Sequence, residues 1–460
     1  MSSSAAKNAY SGFHPPSTSW APERISPKSI TAKEFFTKYI ATRTPVILTP
    51  FGETLKTKWT PEYLSAKAGN MTVKVEQRDT ITGGFGSGGE RVEMDFATFL
   101  KKVSGGDLYL TTQYREAEVA TEDDEILSED YSEDGSPLVG LGMADGLQDF
   151  APNPLRPLLK DIALRPELLG PLIPQTMNLW LGSTKKPTSS GLHHDYQDNL
   201  YTLLEGLKQF TVFSPKDAEA MYTHGEILRV APNGYVHYTK GIRDDGAEIA
   251  DVAGWAVSEA ERAVEEAEES GKGMEEAEKR LEEAMDGLLA ARGESDGEDD
   301  FSEGDEGFGD FSGEEDAVEE IDDEDDENNL TTGSGRKRGV SPTPHSAKKT
   351  KRADEPKAPP PSFSRIPVTT LRSSTASVDF PLLAKATKIT FVVHAGEALY
   401  LPTGWFHEVT SSNTGNNLPH MALNHWLAPP TRPDFEKCYE DNYWEDIWKS
   451  MEESLANYKP

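Results

Sequence analysis

Gly191-Leu-His-His-Asp-Tyr-Gln-Asp-Asn-Leu200 carries two adjacent histidines and an aspartate. It lies within a run of short apolar segments separated by turn residues. In an extended chain successive side chains alternate between faces, so His193 and Asp195 act together while His194 points away. Met177-Asn-Leu-Trp-Leu-Gly182 precedes this stretch; Asn199-Leu-Tyr-Thr-Leu-Leu204 and Gly206-Leu-Lys-Gln-Phe-Thr-Val-Phe-Ser-Pro215 follow it. Strands this short and this regularly punctuated predict a mainly β fold of the barrel or jelly-roll kind.

A His-x-Asp pair alone is a common coincidence, and a metal would need a third ligand from elsewhere. Gly396-Glu-Ala-Leu-Tyr-Leu-Pro-Thr-Gly-Trp-Phe-His407 supplies one, a histidine just after a strand and a Pro/Gly turn. Two imidazoles and one carboxylate on one face of a metal leave three positions open, the arrangement of non-haem Fe(II) oxygenases. Two of those positions suit a 2-oxo acid and the third suits dioxygen. The missing fourth protein ligand argues against structural zinc.

Outward from this centre, residues 1–25 read as a loose Ser-, Pro- and Ala-rich tail, and residues 26–170 as an α/β lead-in. Thr31 to Tyr39 is a capped helix turning Phe35, Phe36 and Tyr39 inward. Pro45 to Leu48 has the content of a buried strand, and Pro61 starts a helix. Met71 to Glu76 alternates as a strand, Asp95 to Val103 is amphipathic, and Asp107 to Thr112 is a further strand. Residues 115–146 form an acidic loop. The first half of the barrel occupies residues 171–242 and the second 364–430.

Between them, residues 243–363 form an acidic low-complexity insertion of roughly 120 residues, far longer than an ordinary connection. Its first part, Ala250 to Arg292, is rich in the helix formers Ala, Glu and Leu and reads as one or two helices. The acidic run Glu294 to Glu327 has too little apolar surface to fold and reads as disordered. Two basic clusters follow, Arg336-Lys-Arg338 and Lys348-Lys-Thr-Lys-Arg352, and suit a bipartite nuclear-import signal. Residues 431–460, rich in Tyr, Trp and Glu, read as a C-terminal helix that covers the barrel or forms a homodimer contact.

Composition narrows the classes. The net charge is -33, most of it between residues 241 and 360, so the rest of the chain is only mildly acidic. Nucleic acid is disfavoured as a partner because phosphate contacts need basic side chains, whereas the acidic insertion complements a basic protein. One cysteine, Cys438, excludes an internal disulfide and any Cys-rich zinc module, and with no base beside it reads as an inert thiol. No signal-peptide core and no run of about 18 apolar residues is present, giving the expectation of an intracellular protein, in nucleus or cytoplasm, with no membrane partner.

Taken together, Leu192-His-His-Asp195, Asn199-Leu-Tyr201, Gly206-Leu-Lys208, the Phe-Ser-Pro strand end, Gly396 to His407 and Asn424-His-Trp426 resemble the Jumonji-C oxygenases. The similarity is greatest to the small members that hydroxylate lysyl residues, over roughly residues 25–240 and 365–430. It implies a double-stranded β-helix, the cupin jelly roll, with Fe(II) held by His193, Asp195 and His407 and with 2-oxoglutarate and O2 as cosubstrates. It places Lys208 on the distal carboxylate of 2-oxoglutarate, assisted by hydroxyls of Ser190, where many members have Thr, and Tyr109. Asn199 and Asn424 would line the cosubstrate, with Tyr201 and Trp426 as pocket walls. The implied reaction hydroxylates a protein side chain, releasing succinate and CO2.

Other readings compete. Standing alone, Lys208 would be a solvated strand lysine, and His194, His420 and His425 read as packing residues. The same chemistry also serves a histone N-methyl-lysine demethylase, against which the lack of zinc modules counts. A tRNA hydroxylase would need a basic stripe around the barrel motifs. In a non-catalytic nuclear scaffold, the acidic insertion would be the working part. Deleting residues 243–363 is the experiment the sequence suggests: an enzyme keeps turnover and a scaffold loses binding.

Overall fold

A computed structural model describes residues 7–78, 91–113, 146–184, 186–293, 359–373, 378–413 and 419–458. The acidic loop of 115–146, apart from its last residue, the acidic run and both basic clusters lie outside the described residues, which belong to one compact unit.

The strands, in chain order, are β1 (Glu23–Ile25), β2 (Val46–Leu48), β3 (Thr72–Gln77), β4 (Arg91–Asp95), β5 (Leu108–Leu110), β6 (Pro174–Gly182), β7 (Thr188–Ser189) and β8 (Asp198–Glu205). They continue with β9 (Leu207–Phe213), β10 (Arg229–Val230), β11 (Val236–His237), β12 (Ile389–His394), β13 (Glu397–Leu401), β14 (Phe406–Ser412) and β15 (His420–Leu427). A nine-stranded sheet runs β1-β2-β13-β8-β15-β6-β5-β3-β4, and a four-stranded sheet runs β12-β9-β14-β7. Ile47, Tyr201, Leu203, Leu399 and Leu401 of the large sheet pack with Phe210, Val212, Ile389, Phe391 and Val393 of the small one. The two sheets thus close face to face on a shared core, a jelly roll.

The pairing crosses the insertion. β12 pairs with β9 from Ile389 opposite Val212 to His394 opposite Leu207, and β13 pairs with β8. Both β stretches therefore build one barrel, as the sequence implied. The lead-in extends the large sheet through β5, β3 and β4 and forms its predicted elements by local chemistry. Thr31 and Glu34 close a capping box on an α turn that buries Phe35, after which the helix continues as a π turn that buries Phe36 and Tyr39. Thr60 caps the helix Pro61–Ala68, and Asp95 caps Phe96–Lys102.

Two long helices, Ile249–Ser270 and Met274–Gly293, stand at the start of the insertion. The reason they fold is anchorage. Val252 and Trp255 pack on the main core, the Trp255 ring meets the Tyr443 ring at 6.0 Å, and Trp255 Nε1–H donates to Asp446. The pair's own buried residues are the small Ala260, Ala267 and Ala277, which let two helices approach closely. The C-terminal helix Tyr443–Asn457 buries Tyr443, Trp444 and Trp448 against its own chain. It covers the fold, the first of the two roles read from its sequence.

One buried ion pair ties the lead-in to the barrel. Asp198, at the start of β8, is fully buried and accepts from both terminal nitrogens of Arg43. It also accepts from the Tyr400 hydroxyl at 2.5 Å and the Thr403 N–H at 2.9 Å. The Arg43 carbonyl in turn accepts from Trp405 Nε1–H at 3.2 Å. Replacing Asp198 by Ala strands a desolvated guanidinium, and the expected loss is about 3–5 kcal/mol in denaturant unfolding. A loss below about 1 kcal/mol would mean that the pair contributes no more than a surface one.

Candidate active site

His193 and His407 come together through the backbone. His193 N–H donates to the His407 carbonyl at 3.0 Å and His407 N–H returns a bond to the His193 carbonyl at 2.6 Å. Asp195 is held to the same turn, since Gly404 N–H donates to its carbonyl at 3.1 Å. Gly404 has φ +69°, and a Cβ there would sit 1.8 Å from the Gly234 carbonyl oxygen. Only glycine fits this close approach, which explains the Pro-Thr-Gly-Trp turn ahead of His407.

The ligand atoms of His193, Asp195 and His407 all lie within 4.8 Å of one another. His193 Nδ1 lies 3.1 Å from the Gly191 carbonyl oxygen and His407 Nδ1 lies 2.9 Å from that of Trp405. A proton on each Nδ1 donates to those carbonyls and leaves each Nε2 lone pair for a cation. Desolvation, with the neighbouring His407, lowers the His193 pKa to about 4, so its imidazole is neutral at neutral pH. These are the donor types and the open three-ligand set that Fe(II) takes in oxygenases, so the residues fit that metal.

The groups around the ligands add roles that the sequence did not show. Asn199 Nδ2 and Trp426 Nε1 both donate to Asp195 Oδ2, at 3.0 and 3.3 Å. Asn424 Nδ2 lies 3.4 Å from Asn199 Oδ1, and Asn424 Oδ1 accepts from Trp180 Nε1–H at 3.0 Å. Asn199 and Trp426 line the cavity, and with Asn424 they also form a relay that orients the Asp195 carboxylate. Trp180 completes it and was not singled out. Its role comes from pairing across β6, β15 and β8, which one sequence does not display.

From the ligand cluster a cavity of about 100 Å³ runs inward to Lys208. Tyr201, Phe210, Leu399, Leu401 and Val409 form its apolar walls. Lys208 is 1% exposed, far from the solvated strand lysine it would be on its own. Its ammonium donates to the Ser411 hydroxyl at 2.6 Å and to the Tyr109 hydroxyl at 3.3 Å, and burial alone lowers its pKa to about 7. Tyr109, which the resemblance pairs with Lys208, stands within hydrogen-bonding distance of it. Ser190 also lines the cavity, but its hydroxyl donates to the Gly191 carbonyl and accepts from Val409 N–H. The hydroxyl nearest Lys208 is instead that of Ser411, next to the last residue of β14, and no motif marks it.

His194, His420 and His425 are buried away from the cluster. His194 is buried, with Nε2 at 2.9 Å from the Tyr238 hydroxyl. His425 Nε2 bonds the Ala163 carbonyl, and His420 lies beside the Tyr109 ring. Cys438 is buried, and desolvation raises its pKa to about 12, so it is inert as a nucleophile. No helix among the described residues is long and apolar enough to cross a membrane.

A jelly roll with a His-Asp-His cluster at one end of a cavity and a buried lysine at the other is a cupin-type fold with a candidate metal site. The family described as "Cupin-like domain" matches residues 32–432. The chain is 32% identical over 469 aligned residues to JmjC domain-containing protein 4 of Schizosaccharomyces pombe, covering 95% of this chain and 91% of that protein. It is also 39% identical over 76 residues to JmjC domain-containing protein E of Dictyostelium discoideum, 16% of this chain and 21% of that one. This chain belongs to the cupin-like JmjC family, whose members are typically Fe(II)- and 2-oxoglutarate-dependent oxygenases.

Proposed function

We propose that the protein is an Fe(II)- and 2-oxoglutarate-dependent dioxygenase that hydroxylates a side chain of a protein substrate, a lysyl side chain being the first candidate. The observation that carries this reading is the pairing of the His193, Asp195, His407 cluster with Lys208 across one cavity. A buried ammonium whose partners among the described residues are neutral hydroxyls is costly until an anion joins it. A dicarboxylate reaching from the metal to Lys208 meets both ends of that demand.

In this arrangement His193, Asp195 and His407 would hold the iron and Lys208, with Ser411 and Tyr109, the distal carboxylate. Fe(II) with 2-oxoglutarate and O2 supplies the chemistry, an oxidative decarboxylation to succinate and CO2 coupled to insertion of one oxygen atom into a C–H bond. The relay Trp180, Asn424, Asn199 keeps the Asp195 carboxylate aimed, and Trp426 holds the same oxygen. Tyr201, Phe210, Leu399 and Leu401 exclude water from the cavity. The acidic insertion favours a basic protein substrate, and the two basic clusters favour the nucleus. The apolar side of the C-terminal helix is used within its own chain, so a homodimer through this segment would meet on its charged outer face.

The test is succinate release from 2-oxoglutarate by purified protein with Fe(II), ascorbate and O2, with and without a chelator. Turnover that disappears on chelation is expected and licenses a mass-spectrometric search for a 16 Da gain, one oxygen atom, on candidate peptides. No turnover, together with no binding of metal or 2-oxoglutarate, would sink the reading.

A further inference from the structure

The insertion returns to the barrel at the metal loop. Ser364 N–H donates to the Leu192 carbonyl at 2.8 Å and His194 N–H meets the Ser362 carbonyl at 3.4 Å. Residues 362–364 thus pair antiparallel with 192–194, with His193 opposite Phe363 on one side and opposite His407 on the other. The strap is pinned along its length: His224 N–H donates to the Phe363 carbonyl, Gly225 N–H to that of Pro361 and Arg365 N–H to that of Tyr222. At its centre the Phe363 ring lies parallel to the His193 imidazole, with centroids 4.8 Å apart and planes within 10°.

A single hydrogen bond from Nδ1 to the Gly191 carbonyl limits rotation of the His193 ring about Cβ–Cγ without packing either of its faces. Phe363 on one face and the His407 ring at 4.3 Å on the other narrow that rotation further. A ligand locked before the metal arrives binds it with less ordering cost. We propose that Phe363 is a positioning residue of the metal centre, and that the strap Pro360 to Ile366 forms an outer edge of the active site. The proposal rests on the metal-centre reading above. It also changes the deletion suggested by the sequence: removing residues 243–363 takes away Ser362 and Phe363, so lost turnover would not separate a scaffold from an enzyme.

Co(II), whose visible absorption reports its ligand geometry, is the probe, titrated into the full chain and its point variants. Phe363→Ala should weaken Co(II) binding about 10-fold and change the absorption spectrum, as loss of other ligand-orienting partners does. Phe363→Tyr, which keeps the flat ring, should restore affinity to within about 2-fold. Lys385→Ala, an exposed change away from the strap, should leave binding and spectrum as in wild type. Should Phe363→Ala not fold, Phe363→Leu keeps bulk without a flat ring and is expected to show the same weakening and spectral change. Wild-type affinity and spectrum in whichever of these two variants folds overturns the proposal alone. Absence of Co(II) binding by the wild-type chain overturns both the proposal and the metal-centre reading.

Discussion

Asp195→Ala is expected to reduce succinate release at least about 100-fold, because changing an outer partner of a metal ligand already costs 10–100-fold. The ligand itself lies above that range. Asp195 supplies the cluster's only carboxylate, and it is the shared acceptor of Asn199 Nδ2 and Trp426 Nε1. Its removal leaves two imidazoles, which hold a divalent ion too weakly to retain it at catalytic concentrations, and two buried donors without an acceptor. Co(II) titration of the variant should show the loss directly, with the fold intact by thermal melting. Turnover within about 10-fold of wild type would place the metal elsewhere.

Lys208→Met should act at the other end of the cavity and leave metal binding unchanged. Removing one partner of a buried charge pair costs about 2–5 kcal/mol, so the 2-oxoglutarate concentration for half-saturation should rise roughly 30- to 5,000-fold. In the absence of 2-oxoglutarate the same change should stabilise the fold. Burial brings the Lys208 pKa down from its ordinary 10.5 to about 7. Between pH 7 and 10.5 the unfolded chain therefore holds a proton that the folded chain has released. Unfolding free energy then rises with pH across that window, by up to about 1.4 kcal/mol per pH unit, and the contribution is absent in Lys208→Met. Urea unfolding of both proteins at about pH 7 and pH 9.5 reads the difference. Parallel pH profiles would show that Lys208 is not desolvated in solution.

Much of this was legible in residue order. Thr31 and Glu34 announce a capping box, Pro61 a helix start, and the short apolar segments after Met177 a jelly roll, because each depends on neighbours within a few residues. The cluster itself was legible for a similar reason: local alternation sets His193 and Asp195 together, and a Pro-Thr-Gly-Trp turn positions His407. Other features were not. Ser411 meets Lys208 because β14 pairs with β9, placing Ser411 directly opposite Lys208. Trp180 reaches Asn424 across β6 and β15, and Ser190, which lines the cavity, has its hydroxyl taken by backbone groups.

By itself the sequence determined the barrel and the three candidate metal ligands, since these follow from spacing, alternation and turn chemistry within short stretches, whereas Lys208 was marked only by the family resemblance. Only the tertiary structure decided which groups orient those ligands, that the insertion begins as a docked helical pair, and that it returns across the metal loop at Phe363. Those contacts join residues far apart in the chain, from Arg43 with Asp198 to His193 with Phe363, and strand register and packing, not local sequence, choose such partners.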